Sequence, residues 1–191
     1  MRVVADTSRV AAQGMLVERL QEGDAAALGE LYDQHAAALL AFARRLVGDA
    51  DAAKDLVHEV FMTVPTAIQR FEGNASLRTF LISIAVNHAR HHVRSAARRR
   101  AAGERLAREP EPSAAGTPEH HLNRERLAQA LSSALDALPL DQRVAFVLCE
   151  VEERTSREAG EIVGAPEATM RTRLFHAKKK LREELERRGV R

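Results

Sequence analysis

Apolar residues recur along most of the chain at steps of three and four, a period that places them on one stripe of a helix and has no use in a strand. Asp24 precedes Leu28, Leu31, Leu39, Leu40, Phe42 and Leu46, and the run stops at Gly48, so the spacing predicts a helix with an aspartate cap and a glycine stop. Asp49 or Asp51 then caps a second helix bearing Leu56, Val57, Val60, Phe61 and Val64. Pro65 is expected to end or kink it, because proline has no N–H to donate and its ring crowds the preceding turn. "RFEGNASLRTF" carries a Gly-Asn turn signal and reads as a loop. Beyond it Leu77, Phe80, Leu81, Ile84, Ala85 and His88 mark a third helix that runs to about Arg94 or further.

The pattern breaks in "AAGERLAREPEPSAAGTPEHH", where Pro, Gly, Ser and charge replace the apolar period, as in a flexible linker. Residues 122–138 form a further expected helix, stopped by Pro139. "DQRVAFVLCEV" reads as a short buried helix opened by Asp141, and "TSREAGEIVG" and "PEATMRTRLFHAKKKLREEL" as two more, separated by a turn at Gly164. The expectation is an all-α chain of two small helical domains joined by a flexible linker, the C-terminal one containing a helix-turn-helix. Residues 1–22 are taken as a loosely held tail, 23–98 as the first domain, 99–121 as the linker and 122–191 as the second; Met15 stands as an alternative start of translation.

Composition agrees with the helical reading: aromatics make up only 4% and hydrophobic residues 45%, enough for packed cores without the material that sheets prefer. The net charge of +2 says little about partners, but its distribution says more. Between residues 78 and 108 there are eight arginines against one acid, and between 171 and 191 nine Arg or Lys against three acids. Two basic segments in a near-neutral chain suggest two faces for a polyanion. Cys149, the only cysteine, sits in an apolar run and excludes a disulfide framework or thiolate cluster. No stretch has the ~20 apolar residues of a membrane span, and the first residues lack the apolar core of a signal peptide, so a cytoplasmic protein without membrane insertion is expected.

The last two helices carry the chemistry. A tight Gly-containing turn followed by a basic helix is the pattern in which the second helix enters the DNA major groove. If Met170 points inward, Leu174, Ala177 and Leu181 follow it, while Ala168, Thr172, Phe175, His176 and Lys179 point outward, flanked by Arg171, Arg173, Lys178 and Lys180. Donors near the N-terminus of such a face reach base edges, and flanking cations neutralise phosphates. His88, His91 and His92 share a helix side, but the sequence sets no carboxylate or thiol beside them, so a basic nucleic-acid face or partly buried histidines are read rather than a metal site. No cofactor is expected. Without a phosphate loop, nucleophile elbow or convergent acid pair, neither is an enzyme.

At this point the residues resemble a family. The stretch from Leu138-Pro139 and Arg143 through Glu158-Ala159-Gly160 and Gly164 to Thr169-Met170-Arg171-Thr172-Arg173 is similar to the promoter-binding region of bacterial sigma factors of the extracytoplasmic-function group. "DADAAKDLVHEVFMTV" is similar to that family's helix for core RNA polymerase, and "LRTFLISIAVNHARHHVRSAARRR" to its segment that opens and reads the minus-10 element. The chain departs from the family's usual pattern at His58, where an amide is common, at Pro65 and Phe80, where Trp is, and at His91, where Asp is.

The resemblance implies binding to core polymerase through Asp55, His58, Glu59 and Met62, which by themselves read as the solvated face of an amphipathic helix. It implies minus-10 contacts through Asn74, Ser76, Arg78, Asn87, Arg90, His91 and Arg94, with an extruded base received at the loop Asn74, Ala75, Ser76. Minus-35 contacts would come from Thr169, Arg171, Thr172, Arg173, Phe175, His176, Lys178 and Lys179. The implied partners are core RNA polymerase, promoter DNA and an anti-sigma factor. The competing reading is a stand-alone helix-turn-helix regulator whose N-terminal half is an interaction module.

Overall fold

The computed structural model describes residues 13–101 and 130–188, and every regular element among them is helical. In chain order these are α1 (residues 13–21), α2 (Ala25–Val47), α3 (Ala50–Ala67) with a 3₁₀ turn (Ile68–Arg70), α4 (Leu77–Ala101), α5 (residues 130–136), α6 (Leu140–Phe146) with a π turn (Val147–Val151), α7 (Ser156–Val163) and α8 (Glu167–Arg187). Both aspartate caps form as the spacing requires. Asp24 accepts the Ala26 N–H at 2.8 Å, and Asp49, not Asp51, accepts the Ala52 N–H at 2.7 Å. Gly48 ends α2 at φ 75°, and a Cβ there would also lie 2.2 Å from the Asp136 carboxylate.

Pro65 does not end α3. The helix runs two residues further and tightens into the 3₁₀ turn, with Pro65 exposed between buried Val64 and Ile68. A proline this close to the end removes one hydrogen bond, and burial of its apolar neighbours offsets that loss.

The N-terminal segment corrects another expectation. Residues 13–21, assigned by sequence to a loose tail, form a helix with Leu16 and Leu20 buried. Gln21 donates to the carbonyls of Ile68 and Phe71 at 3.0 and 3.1 Å, and Gln69 donates back to the Gln21 carbonyl at 2.8 Å. α1 therefore satisfies backbone groups left open at the end of α3. Two leucines in nine residues are too weak a periodic signal to show this. Residues 1–12 lie outside the described part, as does the start of the helix expected from Leu122.

Helices α2, α3 and α4 pack around Phe42, Leu56, Val60, Ile68, Leu81 and Val86, each at most 1% exposed. Burying a side chain of this kind contributes about 1.5–3 kcal/mol. The core continues into the C-terminal half: Val144, Val147, Leu148, Ala159, Val163 and Met170 belong to the same contiguous cluster. Ala134, Leu135, Leu138, Ala177 and Leu181 make a second, smaller one. The two helical domains are thus packed on each other rather than merely tethered.

Arg143 stands at the seam. Its side chain is buried, and its guanidinium donates to the Leu46 carbonyl at 2.7 Å, to the Asp136 carboxylate at 2.8 Å and to the Asp136 carbonyl at 2.8 Å. Asp141 does not cap α6 as expected; Pro139 occupies the cap position and Asp141 lies in the first turn, its side chain turned to other partners. Cys149 is half-buried, and burial pushes its thiol pKa up.

His35 is half-buried beside Phe42, Leu81 and Arg78. Burial, and then the charge of Arg78, lower its pKa from the usual 6.5. Because the folded value is depressed, this contribution to stability is fully present above 6.5 and is lost as pH falls through the folded value. His35→Gln should therefore lose less stability than the parent between about pH 7 and pH 5, measured by urea unfolding; parallel losses would exclude His35 as the titrating group.

Candidate nucleic-acid interface

The helix-turn-helix is built by local chemistry. Thr155 and Glu158 form a reciprocal capping box at the start of α7: the Glu158 N–H reaches the Thr155 hydroxyl at 3.2 Å, and the Thr155 N–H reaches the Glu158 carboxylate at 2.8 Å. The Thr155 N–H, and then its hydroxyl, hold the Glu158 carboxyl below its ordinary pKa. Gly164 ends α7 in the left-handed region at φ 66°, and the Ala165 N–H returns to the Gly160 carbonyl at 2.9 Å. Gly160 allows the close approach: a Cβ there would lie 2.5 Å from the Ala165 carbonyl oxygen.

On α8 the expected inward stripe is in place, with Met170, Ala177 and Leu181 buried and Leu174 half-buried. Ala168, Arg171, Thr172, Phe175, His176, Lys178, Lys179 and Lys180 are exposed; Thr169 and Arg173 are half-buried. Phe175 is 64% exposed and stacks edge-on with His176, a large apolar surface with no cover. Several cations are already engaged: Arg171 with Glu167 at 3.2 Å, Lys178 with Glu150 at 2.7 Å and Arg173 with Asp141 at 2.8 Å. Among the described residues Lys179 and Lys180 make no ion pair.

The residues expected for the minus-10 element divide between a loop and a helix face. Asn74, Ser76 and Arg78 lie at or just before the start of α4; Asn87 and His91 are exposed one turn apart, and Arg90 is half-buried beside them. The Arg94 side chain lies outside the described part. The Asn74, Ala75 and Ser76 loop lines a cavity of about 680 Å³, walled on one side by the tilted ring pair Phe71 and Phe80 and on the other by Arg154, Glu158, Glu161 and Ile162 of the C-terminal domain. Arg78 pairs with Glu152 at 2.5 Å, and Arg90 reaches Asp141 at 3.2 Å and the Val163 carbonyl at 3.1 Å.

On α3, Asp55, His58 and Met62 are exposed along one face, Met62 at 68%. Glu59 turns away from that face and sits between His92 at 2.8 Å and His88 at 3.2 Å, while Thr63 meets His88 at 2.9 Å. Along the chain no carboxylate neighbours these histidines, since Glu59 is 29 residues before the first of them; packing of α3 on α4 supplies one.

Glu150 and Glu152 and the cavity wall Arg154 and Glu161 were not singled out by sequence, and Asp141 and Glu158 were named there only as a helix start and as part of a motif. Packing of the two halves sets Glu152 on Arg78, Asp141 on Arg90 and the α7 residues on the cavity, whereas Asp141 meets Arg173 and Glu150 meets Lys178 within the C-terminal half.

By fold and surface this is a DNA-binding transcription protein of two helical domains. Family models for Sigma-70 region 2 and Sigma-70, region 4 match residues 31–99 and 128–181. The chain is 30% identical over 171 residues to the ECF RNA polymerase sigma-E factor of Escherichia coli, covering 86% of this chain and 89% of that one. It is 28% identical over 178 residues to the RNA polymerase sigma-H factor of Pseudomonas aeruginosa, covering 90% and 92%. Among solved structures it superposes on the sigma factor RpoE of Bartonella quintana, solved with the anti-sigma factor NepR, at 27% identity and a TM-score of 0.61 over 78% of this chain and 90% of that one. CnrH, solved with the cytosolic domain of CnrY, shares the fold at 23% identity and a TM-score of 0.65 over 92% and 97%. The chain belongs to the extracytoplasmic-function group of RNA polymerase sigma factors, which are transcription initiation factors. The match over both halves removes the stand-alone regulator.

Gly160→Ala tests the turn that presents α8. Helix propensity favours Ala by about 1 kcal/mol, but overpacking against backbone typically costs about 1–3 kcal/mol, so the steric effect should win and stability fall. Urea unfolding measures the balance; a more stable variant would mean that the α7–α8 contact yields easily.

Proposed function

We propose that this sigma factor uses residues 23–98 to hold core polymerase and the minus-10 element, and residues 122–191 to hold the minus-35 element, with 99–121 as the linker. The observation that carries the reading is α8: an inner stripe of buried Met170, Ala177 and Leu181 with half-buried Leu174, opposite an outer face of Arg171, Thr172, Phe175, His176, Lys178 and Lys179. Arg171 and Arg173 suit guanine edges or phosphates, Thr169 and Thr172 offer hydroxyls near the helix start, and Phe175 can cover a thymine methyl. With 4% aromatics there are few stacking platforms, so phosphate contacts carry more of the affinity.

The minus-10 strand would run along Arg78, Asn87, Arg90, His91 and Arg94. Unstacking a base costs a few kcal/mol, and the cavity at Asn74 and Ser76 has short polar groups and the tilted ring pair Phe71 and Phe80 to offset it. Core polymerase would dock on the face of Asp55, His58 and Met62, with Glu59 holding that face to α4 through His88 and His92. An anti-sigma factor is the proposed regulator, as in the complexes of its structural relatives. The chain acts in the cytoplasm without enzymatic chemistry of its own; no described helix is long and apolar enough to cross a membrane.

Gel filtration with bacterial core polymerase tests the docking face. The parent should co-elute stoichiometrically, and Asp55→Lys should weaken association at least roughly tenfold; undiminished co-elution would move the contact elsewhere. For strand opening, Asn74→Ala with Ser76→Ala should lower permanganate reactivity of promoter thymines while core binding stays intact. Unaffected opening would remove the base from that cavity.

A further inference from the structure

Resting on the reading that the loop Asn74, Ala75, Ser76 receives an extruded minus-10 base, we propose that α1 sets this loop for the base, with Gln13 and Gln21 as its positioning residues. The loop runs from Phe71 to Ser76, between the 3₁₀ turn and α4, and its residues from Glu72 onward are all exposed. Gly73 stands in the middle at φ 77°, where the missing side chain leaves the backbone free. A segment this exposed has little packing of its own to fix it.

What fixes it comes from α1. Gln21 donates to the Phe71 carbonyl at 3.1 Å, at the start of the loop, and Gln13 donates to the Ala75 carbonyl at 3.3 Å, near its end. Among the described residues no other side chain donates to the carbonyls of this loop. The eight steps from Gln13 to Gln21 cover about 12 Å of helix, within the ~13–14 Å that the chain from Phe71 to Ala75 can reach at full stretch. One rod therefore serves both ends of the loop.

The rod is anchored independently of the loop. Leu16 and Leu20 are buried in the shared core, and Gln69 donates to the Gln21 carbonyl at 2.8 Å. Arg19 pairs with Asp24 at 2.8 Å and with Glu30 at 2.9 Å, at the start of α2. The consequence falls on the residues that meet the base. Ser76 caps α4, its hydroxyl accepting the Thr79 N–H at 3.1 Å, and Asn74 donates to Glu72 at 3.0 Å. The Ala75 carbonyl lies between them, so Gln13 fixes the peptide that joins Ala75 to Ser76. A loop already in its bound shape loses less conformational freedom when it takes up a base, and that difference appears as affinity.

Gln13→Leu keeps the bulk and helix propensity of the side chain and removes the donor. The full chain, assembled with core polymerase, is titrated with single-stranded oligonucleotides of the minus-10 non-template strand from a promoter that this holoenzyme transcribes, intact or with an abasic site walked along them. In the parent one abasic position should lower affinity roughly tenfold, and Asn74→Ala with Ser76→Ala should remove that dependence. Gln13→Leu should weaken the intact strand roughly threefold and leave the strand abasic at that position unchanged, with core binding and the urea midpoint at parent values. A merely structural weakening would lower both strands alike. Gln21→Met, which strips the other anchor, should show the same coupling to the base. Equal effects of the two glutamine variants on intact and abasic strands, or none on either, would overturn the positioning role and leave the base in the cavity. A parent indifferent to every abasic position, or one whose dependence survives Asn74→Ala with Ser76→Ala, would overturn the cavity reading and the positioning role with it.

Discussion

The buried guanidinium of Arg143 is the joint on which the arrangement of this molecule depends. It satisfies the Leu46 carbonyl at the open end of α2, the Asp136 side chain and the Asp136 carbonyl after α5, while its own helix, α6, enters the shared core. Burial lowers its pKa and Asp136 acts against that shift, and the acceptors around the guanidinium offset the cost of holding its charge out of water. Such a group favours one geometry over others more than it adds net stability. A slipped packing of the halves would leave the Leu46 carbonyl without its donor and deprive the buried guanidinium of one acceptor. Gly48 belongs to the same joint, since any side chain there would displace the Asp136 carboxylate that Arg143 holds.

From that joint follows an unusual electrostatic layout for a protein that binds polyanions. Most described cations of the candidate DNA faces do not point freely into solvent: Arg78, Arg90, Arg171, Arg173 and Lys178 each meet a carboxylate, and Lys179 does not. Exposed pairs of this kind contribute little stability, and the half-buried ones at the seam more. The net charge of +2 expresses the same balance over the whole chain.

The histidines of α4 show how a face is set from both sides. His88 and His92 turn to Glu59 and Thr63 on α3, whereas His91, one residue away, is exposed with Asn87. Helical phase separates them. The first pair ties α3 to α4 through short, polar contacts.

The sequence by itself determined the elements whose signals are local. Asp24, Asp49, Thr155 with Glu158, Gly48 and Gly164 act within a few residues of themselves, and the Met170, Ala177 and Leu181 stripe is a matter of helical period. From these came the all-α fold, the helix-turn-helix and the outward face of α8. What tertiary structure decided involves partners far apart in the chain: Glu59 beside His88, Asp141 between Arg90 and Arg173, Glu152 on Arg78, Arg143 on Leu46, and α1 on the end of α3. Periodicity fixes which side of a helix is buried, but not which other helix covers it. The pairing of two halves across a linker is therefore read only from the packed chain.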